Sequence, residues 1–126
     1  MHGRTKEQNK HLVGACDWDI IRDIRREIRI PMFANGGIHK YSDIDECVQH
    51  TGVQGVMSAE SLLENPALFS GKIVCLDQLA LEYLDMWEKF DKDTPKYMKP
   101  HLFKILHQGL TVHTDLRDKL GSAKNE

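Results

Sequence analysis

The chain has 126 residues, of which 40% are hydrophobic and 29% charged, and its formal net charge is -2. This length is enough for one compact domain, and the composition is typical of a soluble globular protein. The small net charge excludes a global nucleic-acid signature, so any RNA contact must come from a local patch. No apolar run approaches the roughly 18 residues of a membrane span, and the first residues lack the apolar stretch of a signal peptide. We expect a cytoplasmic or nuclear protein.

The cysteines and histidines do not predict a metal site. Cys16, Cys47 and Cys75 match neither a zinc ribbon nor a CxxC redox pair, and an odd count without pattern is typical of inert thiols in a reducing compartment. His107 and His113 are not spaced as a helical zinc pair. The acidic residues near position 91 lack the spacing of a calcium loop.

The N-terminal half predicts a loop over residues 4–16 and then a helix. Asp17 is the expected N-cap, and Pro31 places the helix end near Ile28. An apolar strand over residues 30–34 should follow and stop at Asn35-Gly36-Gly37. The apolar face of the helix consists of Ile20, Ile21, Ile24 and Ile28.

A second helix and strand repeat this order. Ser42 is the expected N-cap, with Asp45 completing a weak capping box, and Gly52 should end the helix. A strand over residues 53–57 ends at Ser58-Ala59-Glu60, and residues 61–64 form one helical turn. Alternating strands and helices predict a parallel sheet, and almost wholly apolar strands predict burial on both faces.

The chain after Gly71 predicts helices only. A helical stripe ends where residues 91–95 break the pattern, and a second helix should begin with Pro100 in its first turn. Gly109 would bend or interrupt this second segment, which continues toward Leu120, and the tail from Gly121 should fray. The stripe comprises Leu76, Leu79, Ala80, Tyr83, Leu84 and Trp87.

The two strand ends are candidates for an anion site. Ligands of parallel α/β folds bind beyond the carboxyl ends of the strands, and in barrels the loops after the last two strands often hold phosphate. The Asn35-Gly36-Gly37 and Ser58-Ala59-Glu60-Ser61 loops fit this position. From the pattern alone, phosphate binding and a pair of ordinary turns remain equal alternatives.

Four motifs follow one another along the chain. Residues 2–8 read HGRTKEQ, residues 33–38 FANGGI, residues 51–60 TGVQGVMSAE and residues 65–69 NPALF. In this order they resemble the HGRT/HART motif, the NG-containing strand end, the TG-x-(D/Q)-GVM strand and the NP-x-(L/I)-F loop of the tRNA-dihydrouridine synthases, and most closely those of the eukaryotic 16/17-type branch that acts on the D-loop.

The resemblance implies an α/β fold in which residues 1–70 are the last βα units of a flavin-binding (β/α)8 TIM barrel. Residues 71–126 would be a small helical region that binds tRNA. It also implies FMN as cofactor, NADPH as reductant, and reduction of a tRNA uridine with a cysteine on another loop as proton donor.

Carried over residue by residue, His2 lies at the end of strand 6 and contacts the flavin. Asn35, Gly36 and Gly37 bind the FMN phosphate. Ala59 and Glu60 stand where bacterial members commonly have Gly-Arg. The Ala59 N–H remains a donor, whereas the Glu60 side chain cannot pair with phosphate and should turn away. The expected tRNA contacts are Arg4, Lys96, Lys99 and Lys104.

The resemblance also implies that the chemistry is incomplete in this chain. The family's proton-donating cysteine and flavin-contacting lysine belong to earlier strands, so we assign no catalytic residue. Met1 stands where an apolar strand residue is expected, which predicts a fragment or truncated gene model that aggregates and binds FMN poorly alone. Two alternatives remain: a non-catalytic RNA- or nucleotide-binding remnant of the same fold, and another FMN-dependent TIM-barrel oxidoreductase.

Overall fold

The structure is a computed structural model and describes residues 1–8, 14–90 and 95–123. Within those ranges the chain forms short strands and helices that alternate first and then give way to helices. The strands are β1 (Phe33–Asn35) and β2 (Gly55–Met57). The helices are α1 (Trp18–Glu27), α2 (Ser42–Thr51), α3 (Glu60–Glu64), α4 (Leu76–Phe90), α5 (Pro95–Ile105), α6 (His107–Val112) and α7 (Thr114–Ser122).

The chain divides into two compact units. The strand unit comprises Met1–Ser61 and Leu68–Ser70, and the helical unit comprises Leu62–Ala67 and Gly71–Glu126. The division therefore passes through α3. The assignment of residues 1–70 and 71–126 to separate functions stays a prediction.

β1 and β2 form a parallel pair, as the alternation of strands and helices predicts. Ala34 lies opposite Val56 in the register. The first residues lie along β1, because the Met1 amino group donates to the Phe33 carbonyl at 2.8 Å and His2 bridges in parallel to Asn35. Both β2 and the first residues of the chain therefore pair in parallel with β1. This pairing brings the carboxyl ends of the three segments to the same edge.

The expected start and end of α1 are confirmed. The Asp17 carboxylate accepts from the Asp19 and Ile20 amides, which satisfies two N–H groups of the first turn. Ile28 is the C-cap. The predicted apolar face is partly wrong: Ile21 is fully buried, whereas Ile20 is 43% exposed because it lies at the margin of the buried stripe.

The predicted N-cap of α2 is wrong. Ser42 is the first residue of the helix, and Tyr41 precedes it without a side-chain cap. The buried Asp43 carboxylate instead reaches back to the amides of His39 and Lys40, at 2.8 and 3.0 Å. Gly52 ends the helix as predicted, with φ of 71° and its N–H donating to Val48.

The prediction that both strands are buried on both faces is also wrong for this chain. Ala34 is fully buried, but Phe33 and Met57 are 51% and 54% exposed. Successive side chains of a strand point to opposite faces. The alternation from exposed Phe33 to buried Ala34 therefore indicates that, over the described residues, only one face of β1 is covered.

The helical unit is built around α4 and α5. Its buried core consists of Leu79, Ala80, Leu102 and Ile105. The predicted stripe of α4 is thus confirmed at its centre, where Leu79 and Ala80 are each 7% exposed. Residues 91–94, predicted as a break, lie outside the described residues, as do residues 9–13 of the first loop and residues 124–126 of the tail.

The predicted start of the second helix is wrong. α5 begins at Pro95, which occupies the favoured first position, and Pro100 lies inside the helix. An interior proline removes one backbone hydrogen bond without having to end the helix. The following segment breaks beside Leu106 and His113, not at Gly109, so three helices take the place of one bent helix.

Candidate functional site

The strand unit contains a polar cleft of about 210 Å³ at the carboxyl ends of β1 and β2. We call it the strand-end cleft. It brings together the residues proposed for cofactor binding from three separate stretches of the sequence. Its lining consists of His2, Arg4, Asn35, Gly36, Gly37, Ile38, His39, Met57, Ser58, Ala59, Glu60 and Ser61.

The glycine loop after β1 has a backbone that other residues rarely adopt. Gly36 and Gly37 have φ of 98° and 79°, in the left-handed region. A Cβ on Gly36 would lie 2.9 Å from both the Cys16 sulfur and the His2 Cε1. The two glycines therefore allow the loop to turn tightly between its neighbours and the cleft.

Two side chains support the glycine loop from behind. The Trp18 indole donates from Nε1 to the Gly36 carbonyl at 3.2 Å, so this residue joins the start of α1 to the glycine loop. The Cys16 sulfur lies 3.7 Å from the Asn35 carbonyl oxygen. Burial raises the pKa of the Cys16 thiol, which keeps it protonated.

None of the cysteines lines the strand-end cleft. Cys47 is buried in α2, where burial raises the pKa of its thiol, and Cys75 is exposed in the helical unit. A thiol that attacks or ligates a metal acts as the thiolate, so the raised pKa values of Cys16 and Cys47 oppose such a role.

The loop after β2 is hydrogen-bonded directly to the loop after β1. The Ser58 hydroxyl donates to the Ile38 carbonyl at 3.1 Å. The Ser61 hydroxyl and His39 Nδ1 lie 3.1 Å apart. Ala59 and Glu60 stand between these two contacts and line the cleft, both exposed to solvent.

The first residues of the chain line another part of the cleft. His2 Nδ1 accepts from the Arg4 amide at 3.1 Å, which orients the imidazole ring. The Arg4 side chain donates from Nε to the Gly14 carbonyl at 2.8 Å. Gly3 between them is buried, and a Cβ there would lie 2.4 Å from the Asp17 carbonyl oxygen. The HGRT stretch is thus held by a contact within itself and by contacts to Gly14 and Asp17.

These surroundings favour an anion. The cleft has glycine-containing turns, the Ser61 hydroxyl, two imidazoles and one guanidinium, together with the acidic residue Glu60; the Ser58 hydroxyl hydrogen is used by the Ile38 carbonyl. Hydroxyl, imidazole and guanidinium groups donate hydrogen bonds to phosphate oxygens. Sequence reasoning did not assign His39. His39 lies two residues after the glycine pair, in the loop where ligands of such folds bind. This position could have identified it as a candidate site residue.

The three lysines of the helical unit that were predicted to contact RNA differ from one another in their neighbours. The Lys99 ammonium donates to the carbonyls of Gly121 and Ala123, so it caps the end of α7. Lys96 lies over its neighbour Tyr97, with 4.7 Å from Nζ to the ring centroid. Lys104 lines a second cleft of about 290 Å³, the Lys104 cleft, which also contains Pro100, Phe103, His107, Leu110, Thr111 and Arg117.

Neither a membrane-spanning helix nor a metal-binding cluster occurs in the described ranges. No helix in residues 1–8, 14–90 and 95–123 has the length and hydrophobicity needed to cross a bilayer. The same ranges contain no group of three or more histidine, cysteine, aspartate or glutamate residues placed to hold a metal ion.

Comparison with known proteins agrees with the motif order. A model of the family described as dihydrouridine synthase (Dus) matches residues 1–122. The chain is 46% identical over 124 residues to a mouse tRNA-dihydrouridine(16/17) synthase [NAD(P)(+)]-like protein, with 98% of this chain and 26% of the relative covered. It is 39% identical over 133 residues to the Schizosaccharomyces pombe tRNA-dihydrouridine(16/17) synthase [NAD(P)(+)], with 95% and 33% covered.

A tRNA-dihydrouridine(20a/20b) synthase [NAD(P)+] of Schizosaccharomyces pombe is 41% identical over a shorter stretch, 71 residues, with 56% of this chain and 21% of the relative covered. The chain thus spans between about a quarter and a third of the length of the 16/17 relatives. The family model covers every residue that lines the two clefts, and we conclude that the chain belongs to the dihydrouridine synthase family.

Proposed function

We propose that this chain is the part of a tRNA-dihydrouridine synthase that holds the phosphate end of FMN. The single observation that carries the proposal is the strand-end cleft, where the His2 turn, the Gly36–Gly37 loop and the Ser58–Ser61 loop meet. In this proposal β1 and β2 are the last two strands of a (β/α)8 barrel, and Met1 and His2 continue the strand before them. Phosphate binding after the last barrel strands is common in that architecture.

The residues of the cleft fit a phosphate monoester. Asn35, Gly36 and Gly37 would hold it from one side, and Ala59 and Glu60 would line the opposite side. A Cβ on Gly37 would lie 2.8 Å from the Trp18 Nε1, so the loop keeps this shape only with glycine. His2, whose imidazole ring lies beside Gly36, would contact the isoalloxazine ring.

When bound, FMN supplies hydride-transfer chemistry with NADPH as the external reductant, and the protein supplies orientation and electrostatics. The residues of this chain bind and orient the cofactor; none of them is proposed as a proton donor to the uridine. The raised pKa of Cys16 and its place behind the glycine loop agree with that assignment.

The proposed substrate is a uridine in the D-loop of tRNA, and the proposed RNA contacts lie in residues 71–126 together with Arg4. The Lys104 cleft supports this assignment best, because Lys104, His107 and Arg117 line it together with the aromatic Phe103. Basic and aromatic side chains in one cleft suit the phosphates and bases of RNA. Lys96 stays a proposed contact, whereas Lys99 would act through the end of α7 that it caps.

The experiment uses the complete open reading frame that contains these residues, since the relatives are longer. Purified protein is incubated with an unmodified tRNA transcript, FMN and NADPH, and the nucleosides are analysed by mass spectrometry. We expect a yellow protein and a dihydrouridine that depends on NADPH. Binding of RNA without flavin absorbance or dihydrouridine would contradict the proposal and favour a non-catalytic RNA-binding protein.

A further inference from the structure

His39 and Ser61 form a contact between the two loops of the strand-end cleft. Nδ1 of His39 lies 3.1 Å from the Ser61 hydroxyl oxygen, and both residues line the cleft. The position of His39 is fixed from its backbone, because its amide donates to the buried Asp43 carboxylate at 2.8 Å. The backbone of His39 is therefore held by α2 through Asp43, and its ring is held by the opposite loop through Ser61.

This pair keeps a hydrogen-bond donor in every protonation state. If Nδ1–H donates to Ser61, the hydroxyl hydrogen of Ser61 is left for another acceptor. If the hydroxyl donates to Nδ1, the hydrogen on Nε2 is left instead, and a protonated ring leaves both. The contact thus uses one hydrogen and leaves at least one N–H or O–H donor for a ligand.

The other basic side chains of the cleft are bonded within the first part of the chain. His2 Nδ1 accepts from the Arg4 amide, and Arg4 donates from Nε to the Gly14 carbonyl, whereas the His39–Ser61 contact joins the loops after β1 and β2. Glu60 brings negative charge to the same lining. A dianionic phosphate beside a carboxylate requires a compensating donor or cation. His39 is the imidazole of the lining that is hydrogen-bonded to the loop containing Glu60.

We infer that His39, oriented by Ser61, is a phosphate-contacting residue of the strand-end cleft and gives this chain its preference for FMN over riboflavin. The inference rests on the proposed function, since FMN is the phosphate monoester concerned. It concerns the phosphate end of the ligand alone, and it assigns no role to His39 in hydride or proton transfer.

The test measures binding, not turnover. FMN and riboflavin are titrated against the complete protein by quenching of flavin fluorescence. We compare wild type with His39→Ala, His39→Gln, Ser61→Ala and the control His50→Ala, a histidine of the same unit that bonds Asp19. We expect His39→Ala to weaken FMN binding about tenfold, which corresponds to one hydrogen bond to a charged group, without changing riboflavin binding.

The graded variants separate phosphate contact from a structural role. His39→Gln keeps an N–H donor and should retain part of the affinity, and Ser61→Ala should lose about threefold, since it frees the ring without removing it. Unchanged FMN binding in His39→Ala, or an equal loss for FMN and riboflavin, would overturn the inference while leaving the proposed function standing. A wild-type protein that binds neither flavin would overturn both.

Discussion

The strand unit depends on close packing of its backbone, whereas the helical unit depends on packing of its side chains. In the strand unit, close approach of the backbone shapes the cleft: a Cβ would collide at Gly3, Gly36 and Gly37. In the helical unit, added bulk at Gly109 meets nothing within 4 Å, and the fold rests on a core of larger side chains. A candidate site made from backbone should be sensitive to small changes of sequence, whereas a helix surface should tolerate them.

The largest effect should come from the core of the helical unit. Leu79→Ala removes a side chain that is 7% exposed and packed in the α4–α5 core, so we expect a loss of about 3 kcal/mol in unfolding free energy, including the cavity left behind. Urea unfolding measures it. The matched control is Leu81→Ala on the same helix, where the side chain is 62% exposed and the loss should be small. Similar losses for both variants would refute the α4–α5 core described here.

The second prediction compares two glycines of the strand unit. Gly36→Ala adds a Cβ at 2.9 Å from two neighbours and at φ of 98°, so we expect about 2 kcal/mol of destabilisation and the loss of phosphate binding. Gly52→Ala also has positive φ, 71°, but nothing lies within 4 Å, so it should cost only about 1 kcal/mol of backbone strain and leave binding intact. Thermal unfolding and FMN titration measure the two effects. Equal loss of binding in both variants would indicate a general response to strain.

The third prediction tests the surface of the helical unit. Lys104→Ala should weaken tRNA binding about threefold at low salt and reduce the slope of log affinity against log salt by about one, as for one lost phosphate contact. Lys89→Ala removes a lysine that lies over Phe90 on α4 and should leave both quantities unchanged. Filter binding at several salt concentrations provides the measurement. If both variants lower the salt slope equally, the Lys104 cleft is not a specific contact site for tRNA.

The smallest effect concerns the contact between α1 and α2. His50 Nε2 lies 2.7 Å from the Asp19 carboxylate, and this hydrogen bond, with Arg22 second, lowers the pKa of Asp19. A carboxyl with a lowered folded pKa stabilises the protein above its unfolded pKa and loses that contribution as the pH falls through the folded value. Asp19→Asn should therefore melt slightly lower than wild type at pH 7, and the difference should shrink as the pH falls through the lowered pKa of Asp19. A difference in melting temperature that stays constant as the pH is lowered would contradict the assignment.

Local rules of sequence predicted those features that depend on a few neighbouring residues. Asp17 and Gly52 begin and end their helices as expected, because capping needs only the adjacent amides and carbonyls. The start of α2 was missed for a related reason. Ser42 and Asp43 are both residue types that cap helices, but the buried Asp43 carboxylate accepts from the His39 and Lys40 amides before the helix, and no side chain caps the first turn.

Features that depend on distant parts of the chain were less predictable. The exposed fraction of Phe33 follows from which neighbours cover the sheet, and helical periodicity does not distinguish Pro95 from Pro100 as the start of α5. At the candidate site, the motif positions of His2, Gly36 and Ala59 were sufficient to nominate the residues. The hydrogen bonds from Ser58 to Ile38 and between His39 and Ser61 join the loops across 20 and 22 residues of sequence, and no local pattern indicates them.

The most direct measurement is an amide NMR titration of the complete, isotope-labelled protein with FMN and with riboflavin. If the two loops form one phosphate site, the amide signals of Gly36, Gly37 and Ala59 will shift together with FMN and saturate at the same concentration. Riboflavin, which lacks the phosphate, will leave these three signals nearly unchanged. Shifts confined to one loop, or equal shifts with both flavins, would contradict the account.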